Sequence, residues 1–145
     1  MPAAVIKYFH VSDVRTIELP RFGRADGELV IAEGSAGVPF AIARVFTLRA
    51  PLGARRGEHA HRHCSQLLVC VHGSVDVMSD DSRDRRTFTL DQTNVGLLVP
   101  PTIWNLITFR EANSVLMVIC DLPYRDDDYI REYSDYLEFR KAGSS

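Results

Sequence analysis

Short apolar runs, each closed by a turn signal, constrain this chain more than any other feature. They fall at 5–11, 28–33, 40–48, 66–71, 74–79, 85–90, 96–99, 103–108 and 114–120. Each is rich in Val, Ile, Leu, Phe or Thr and bounded by Gly, Pro, Asp or Asn. Runs of that length and residue type read as strands rather than helices. His72-Gly73 makes one tight reversal and Asp80-Asp81-Ser82 another. Pro100-Pro101 forbids a helix and holds the chain extended on its approach to Trp104. Closely and evenly spaced strands predict an all-β sandwich, jelly roll or barrel.

The 145 residues suffice for one domain, with no linker or repeat to divide them. The expected plan is a barrel over about 5–123 and a helix over 126–139. At 46% hydrophobic and 25% charged, the chain has the balance of a globular protein. A net charge of -2 gives no general attraction to nucleic acid or anionic membrane, so neither is expected as a partner. The apolar runs are too short to span a bilayer as helices. No basic segment followed by a long apolar run opens the chain, so no signal peptide is expected. Cys64, Cys70 and Cys120 form no CxxC pair, and the last two lie inside apolar runs. They read as buried free thiols in a reducing compartment, which predicts a cytoplasmic protein.

After residue 126 the pattern changes. Three aspartates precede Tyr129, Tyr133, Tyr136 and Leu137, spaced as on one helical face. Acidic residues favour a helix N-terminus. An amphipathic helix packed on the barrel wall is expected, with no direct part in catalysis.

The informative stretch runs from Gly53 to Gly73. Gly53 is followed by five residues and His59-Ala60-His61, then four residues and Gln66, then six residues and Gly73. This is the spacing of the first cupin motif, with glutamine in place of its glutamate. Residues two apart on a strand point to one face, so His59 and His61 project together and Gln66 can face them from the next strand. The second cupin motif resembles Pro100-Pro-Thr-Ile-Trp-Asn105, with Thr102 at the glycine and Asn105 at the histidine. A cupin-type jelly-roll β-barrel with a short C-terminal helix is the expected fold.

Metal cupins take ligands from four such positions. Here two of the four carry amides, and a neutral amide oxygen is a weak donor to a transition metal. No metal and no cofactor are expected. What remains is a pair of imidazoles in an apolar barrel, able to exchange protons near neutrality.

Several segments together resemble the WxcM-like sugar 3,4-ketoisomerases. They are Arg55-Arg-Gly-Glu-His-Ala-His61, Gln66-Leu-Leu-Val-Cys-Val-His-Gly-Ser-Val-Asp-Val77, Phe88-Thr-Leu-Asp91, Gly96-Leu-Leu-Val-Pro-Pro-Thr-Ile-Trp104 and Asp127-Asp-Tyr-Ile-Arg131. The resemblance implies a metal-free isomerase acting on dTDP-4-keto-6-deoxyglucose, with His59 and His61 catalytic. It would move the sugar carbonyl from C4 to C3 through an enediol. It also implies a homodimer. Arg44, charged in mid-strand, and Arg56 are the expected diphosphate contacts, since guanidinium forks suit phosphate oxygens. Trp104 is expected to stack on sugar or base, and Gln66 and Asn105 to orient substrate or imidazoles. Two positions depart from the family pattern. Arg24-Ala-Asp-Gly27-Glu-Leu29 lacks an arginine often found there, and Asn105 replaces a residue that is commonly histidine or arginine. The alternatives are a non-catalytic nucleotide-sugar-binding cupin, a sugar 3,5-epimerase and a metal-dependent cupin.

Overall fold

The computed structural model describes residues 5–143. Its strands are β1 (Arg15–Glu18), β2 (Arg21–Arg24), β3 (Gly27–Val30), β4 (Arg44–Arg49), β5 (Arg55–His61) and β6 (Gln66–His72). They continue with β7 (Val75–Asp80), β8 (Arg85–Leu90), β9 (Val95–Val99), β10 (Trp104–Phe109), β11 (Val115–Cys120) and β12 (Tyr129–Ile130), followed by helix α1 (Tyr133–Ala142). Two five-stranded antiparallel sheets face each other, in the orders β1-β9-β6-β11-β4 and β12-β5-β10-β7-β8. β2 and β3 form a separate hairpin. This is the expected jelly roll. Its two sheets are packed face to face rather than sealed into a continuous barrel.

Strand alternation builds three apolar layers. Leu68, Val77, Ile107, Phe109, Leu116 and Val118 point inward and fill the space between the sheets. The alternate residues Leu67, Val69 and Ile119 point outward from the first sheet and are covered by Leu19, Val38 and their neighbours. On the outer face of the second sheet, Ala60, Trp104 and Ile130 pack beneath Tyr136 of α1.

Several boundaries differ from the sequence expectation. Residues 5–10 form no strand, and the first strand, β1, pairs with β9. The strand expected over 40–48 begins at Arg44. The helix expected over 126–139 spans Tyr133–Ala142. Asp126–Asp128 instead make a single 3-10 turn, and Tyr129–Ile130 add a strand to the edge of β5. The tyrosine periodicity is shared by two elements. Ile130 and Tyr136 do pack outside the sheet, but Tyr129 alternates to the inner face.

Two backbone features set up the interior. The β5–β10 register slips between the pairs Asn105–His59 and Ile107–Arg56, a bulge that re-aims β5. Gly57 lies in it at φ 69°, and a Cβ there would sit 3.0 Å from Ile107 Cδ1. Thr102, at the cupin motif's glycine position, is held at φ 71° although β-branched. That conformation costs about 1–3 kcal/mol. It is fixed by hydrogen bonds: Thr102 N–H donates to His61 O (2.7 Å), and Oγ1 accepts from Phe9 N (2.8 Å). The Thr102 carbonyl accepts from Tyr136 Oη (2.7 Å) and Arg140 (3.1 Å). Thus α1 and the N-terminal segment clamp the turn that delivers β10 beside the histidine strand. Among the described residues, no helix is long and apolar enough to cross a membrane.

Candidate active site

One wall of the interior is built by β12, β5, β10 and β7. His61 lies opposite Tyr129, His59 opposite Asn105, and Asn105 opposite Ser79. Residues directly opposite in an antiparallel pair share a face, so all five point inward. The imidazoles of His59 and His61 meet edge to face at 4.9 Å between centroids. The Tyr129 ring touches both, at 5.0 Å and 4.4 Å. Ser79 Oγ donates to Asn105 Oδ1 at 2.8 Å, fixing the amide with its nitrogen toward Ile103 O.

His61 is braced from behind. Its Nδ1 lies 2.8 Å from Asp128 Oδ2, with both residues buried. Asp128 Oδ1 accepts the His63 N–H at 2.7 Å. Burial pushes the Asp128 carboxyl up, but the His61 and His63 hydrogen bonds and nearby positive charge outweigh it, leaving its pKa below the usual value. An ionised Asp128 accepts the proton on Nδ1, which fixes the tautomer and leaves the lone pair on Nε2. That Nε2 is buried and unpartnered. His59 differs. Burial, then the neighbouring His61 and Arg131, push its pKa down to about 4, against a smaller opposing effect from Asp128. His59 is therefore neutral near pH 7.

The facing wall comes from β6, β11 and β4, where Gln66, Cys120 and Arg44 lie directly opposite one another. Arg44 Nη2 donates to Cys120 Sγ at 3.5 Å and to Tyr129 Oη at 3.4 Å. Gln66 Nε2 donates to the same sulfur at 3.5 Å. The Arg44 guanidinium lies over the rings of Phe46 and Tyr124, 5.6 and 5.5 Å from their centroids. Among the described residues, Arg44 has no carboxylate partner. Its Nε and Nη1 are buried without a hydrogen bond.

Between the walls lies a cavity of about 220 Å³, lined by His59, Asn105, Tyr129, Gln66, Arg56 and apolar side chains. It is small beside the roughly 300–1,000 Å³ of sites that engulf a drug-sized ligand. A sugar ring fits that scale; a nucleotide has to lie outside. His61 adjoins this lining through its ring contacts to His59 and Tyr129. Among the described residues, the buried side-chain polar atoms without a partner are Arg44 Nε, Arg44 Nη1 and His61 Nε2. All three belong to the two residues that back this cavity.

The four cupin ligand positions do not form a donor set here. Asn105 Oδ1 is occupied by Ser79, and Gln66 turns its nitrogen to Cys120. Ligand atoms of His61, Cys64 and Asp128 come within 4.8 Å of one another. Their carboxylate is already engaged by His61 Nδ1 and His63 N, a hydrogen-bonded brace rather than a ligand shell.

Residues 12–141 match the model of the family described as FdtA: WxcM-like, C-terminal. The chain belongs to this family. It is 37% identical over 114 residues to the TDP-4-oxo-6-deoxy-alpha-D-glucose-3,4-oxoisomerase of Aneurinibacillus thermoaerophilus, covering 78% of this chain and 82% of that one. It is also similar to the 3,4-ketoisomerase QdtA of Thermoanaerobacterium thermosaccharolyticum. A histidine-to-asparagine mutant of QdtA, solved with TDP-4-keto-6-deoxyglucose, gives a TM-score of 0.87 at 28% identity, covering 92% of this chain and 97% of that one. A 3,4-ketoisomerase from Helicobacter canadensis gives 0.85 at 25% identity, covering 89% and 98%.

Within this WxcM-like chain, the structure places His59, Gln66, Asn105 and Arg56 in the lining of one cavity, with His61 and Arg44 each in contact with its Tyr129. Trp104 is a correction. It lies on the outer face of β10, opposite in sense to Asn105, and packs against Ala60, Ile130, Tyr133 and Tyr136. It stabilises the helix contact and lines no part of the cavity. Asp128, Tyr129, Ser79 and Cys120 are site residues that the sequence reading missed. The first two lay in a segment with a helical pattern. Their signal was the Asp127-Asp-Tyr-Ile-Arg131 segment itself, which does not extend the amphipathic face of α1.

Proposed function

We propose that this protein is a sugar 3,4-ketoisomerase that converts dTDP-4-keto-6-deoxyglucose into the 3-keto isomer by proton transfers between imidazoles and sugar. The observation that carries this is the set of unspent polar atoms around the cavity. Buried donors and acceptors in folded proteins are almost always satisfied, and these three are left for a ligand. The relatives' activity and the braced histidine support the same reading.

His61, oriented by Asp128, is the base that takes the C3 proton on Nε2 and returns a proton to C4. His59 stays neutral and works on the oxygens. It hands its N–H proton to O4 as the enediol forms and accepts the proton of O3. A neutral imidazole with a lowered pKa suits such a shuttle between adjacent oxygens. Arg44 faces the negative charge that develops on the enediolate, where a preorganised cation is worth most. Arg56, exposed at the cavity rim, meets the diphosphate. Asn105 and Gln66 hold hydroxyls.

The remaining assignments are coarser. Three free thiols and no disulfide fit a cytoplasmic enzyme. A homodimer is supported by apolar residues left exposed on the β2–β3 hairpin and the edge strand β4, among them Phe22, Leu29 and Val45. Sedimentation of the purified chain tests it.

The deciding experiment incubates the protein with dTDP-4-keto-6-deoxyglucose in D₂O and follows the sugar by NMR. The expected result is migration of the carbonyl to C3 with deuterium entering at C4. No migration and no exchange overturns the proposal. Exchange confined to C5 marks an epimerase.

A further inference from the structure

Tyr129 has no task in the proton transfers, yet it spans the cavity from wall to wall. Its backbone pairs with His61 on β5, and its ring lies against both imidazoles. Its hydroxyl reaches the facing wall, where Oη accepts a hydrogen bond from Arg44 Nη2 at 3.4 Å. Among the described residues, nothing accepts the hydroxyl's own proton. Tyr129 is also the only hydroxyl among the side chains that line the cavity. The neighbouring amides are partly spent. Gln66 turns its nitrogen to Cys120, and Asn105 is held between Ser79 and the Ile103 carbonyl.

The phenol is positioned before any ligand arrives. Arg62 Nη1 donates to the Tyr129 carbonyl at 2.9 Å and to that of Asp127 at 3.0 Å, which pins the short strand β12. The Arg131 guanidinium lies over the Tyr129 ring, 4.3 Å from its centroid, and is itself paired with Asp126 at 2.9 Å.

We propose that Tyr129 is a catalytic residue: its hydroxyl, backed by Arg44, donates a hydrogen bond to the sugar oxygen that turns negative as the enediolate forms. The inference rests on the ketoisomerase reading. When the carbon beside a carbonyl loses its proton, the electron pair moves onto the carbonyl oxygen. That oxygen lies one carbon away from the base, so its donor must stand beside the imidazole that takes the proton. The Tyr129 ring stands there, 4.4 Å from that of His61. A donor fixed in advance, away from water, costs no reorganisation when the charge appears. The hydrogen bond accepted from Arg44 polarises the phenol and strengthens the one it donates. Tyr129 keeps its proton throughout. Burial raises the phenol's pKa, and the smaller opposing effect of Arg44 does not cancel this. His59 exchanges protons with the two oxygens, and Tyr129 holds the charge between those exchanges. A neutral ground-state carbonyl accepts such a bond weakly, so the gain falls in the transition state and is read in kcat.

Tyr129→Phe removes the hydroxyl and keeps the ring against both imidazoles. With dTDP-4-keto-6-deoxyglucose we expect kcat to fall about 10²-fold, KM to change by less than about threefold, and TDP to bind as it does to wild type. A kcat within about threefold of wild type marks a tyrosine that only packs, and overturns the proposal. A loss of TDP affinity as large as the loss of kcat marks a binding residue, and also overturns it. A ring-fluorinated tyrosine at position 129 is more acidic and nearly the same shape. It restores kcat near neutral pH and moves the alkaline limb of the kcat profile to lower pH, because the donor must stay protonated. A limb that does not move overturns the proposal. In the double variant of Tyr129→Phe with Arg44→Met, the loss of kcat is smaller than the product of the two single losses, since both groups act on one charge. A fully multiplicative loss overturns it, because Arg44 then acts apart from the phenol. Wild-type protein that neither moves the carbonyl nor exchanges deuterium overturns the ketoisomerase reading and this inference with it. Wild-type turnover with an unaffected Tyr129→Phe overturns this inference alone.

Discussion

The two walls of the cavity face each other across the same space and are built in opposite ways. The histidine wall is held by fixed partners: Asp128 holds His61, Ser79 holds Asn105 from within the inner row, and the Thr102 turn is clamped by Tyr136 and Arg140. The arginine wall has no such backing. Arg44, Cys120 and Gln66 hold one another through long contacts to a single sulfur, and two arginine nitrogens remain unpartnered. Proton transfer to carbon requires accurate placement, which rigid hydrogen-bonded supports supply. Binding a shifting negative charge requires an available cation, which a fully paired arginine could not provide.

That contrast predicts different kinetic signatures for the two walls. On the histidine wall, His59→Asn and His61→Asn each lower kcat by about 10²–10⁴-fold with KM little changed. Steady-state kinetics and circular dichroism of the folded variants check this, and a loss below tenfold breaks the assignment. Acid titration sharpens it. His59 has a folded pKa of about 4 against an ordinary 6.5, so it stays neutral and active as the pH falls through 6.5 and fails only toward 4. In that window the unfolded chain binds the extra proton, so stability declines as pH falls. Asp128, also depressed, adds its own loss at lower pH. Thermal melts from pH 7 to 4 read the slope, and rising stability in acid contradicts it.

On the arginine wall, Arg44→Met removes charge-assisted hydrogen bonds to the enediolate worth about 1.5–3 kcal/mol, so kcat falls about 10–100-fold with a smaller rise in KM. The fall in kcat is smaller than for either histidine. If KM rises while kcat holds, Arg44 binds substrate and enediolate alike and the division of labour between the walls is wrong. The smallest effect is expected outside both. Trp104→Phe costs about 1–2 kcal/mol of stability through lost packing under α1. It leaves KM unchanged, whereas a rise in KM restores Trp104 to the substrate site.

Much of the histidine wall is legible in the chain. The spacing Gly53–His59–His61–Gln66–Gly73 survives as a bulge, a strand pair and a turn, because alternation within a strand is a local property. The amides at Gln66 and Asn105 are legible for the same reason. Trp104 was misplaced because strand parity depends on where the turn at Thr102 ends, and that turn takes a left-handed conformation a threonine does not announce. The C-terminal segment was misread because 3.6-residue periodicity ran across a turn and a two-residue strand before the helix began.

The sequence by itself determined most of the strands, the histidine pair facing one way and the amides at two of the four cupin ligand positions. These depend on residue type and on spacing within one element. The tertiary structure alone decided that Asp128 orients His61, that Tyr129 touches both imidazoles and that Arg44 and Gln66 meet at the Cys120 sulfur. Those contacts join strands far apart in the chain, and register and bulges bring them together.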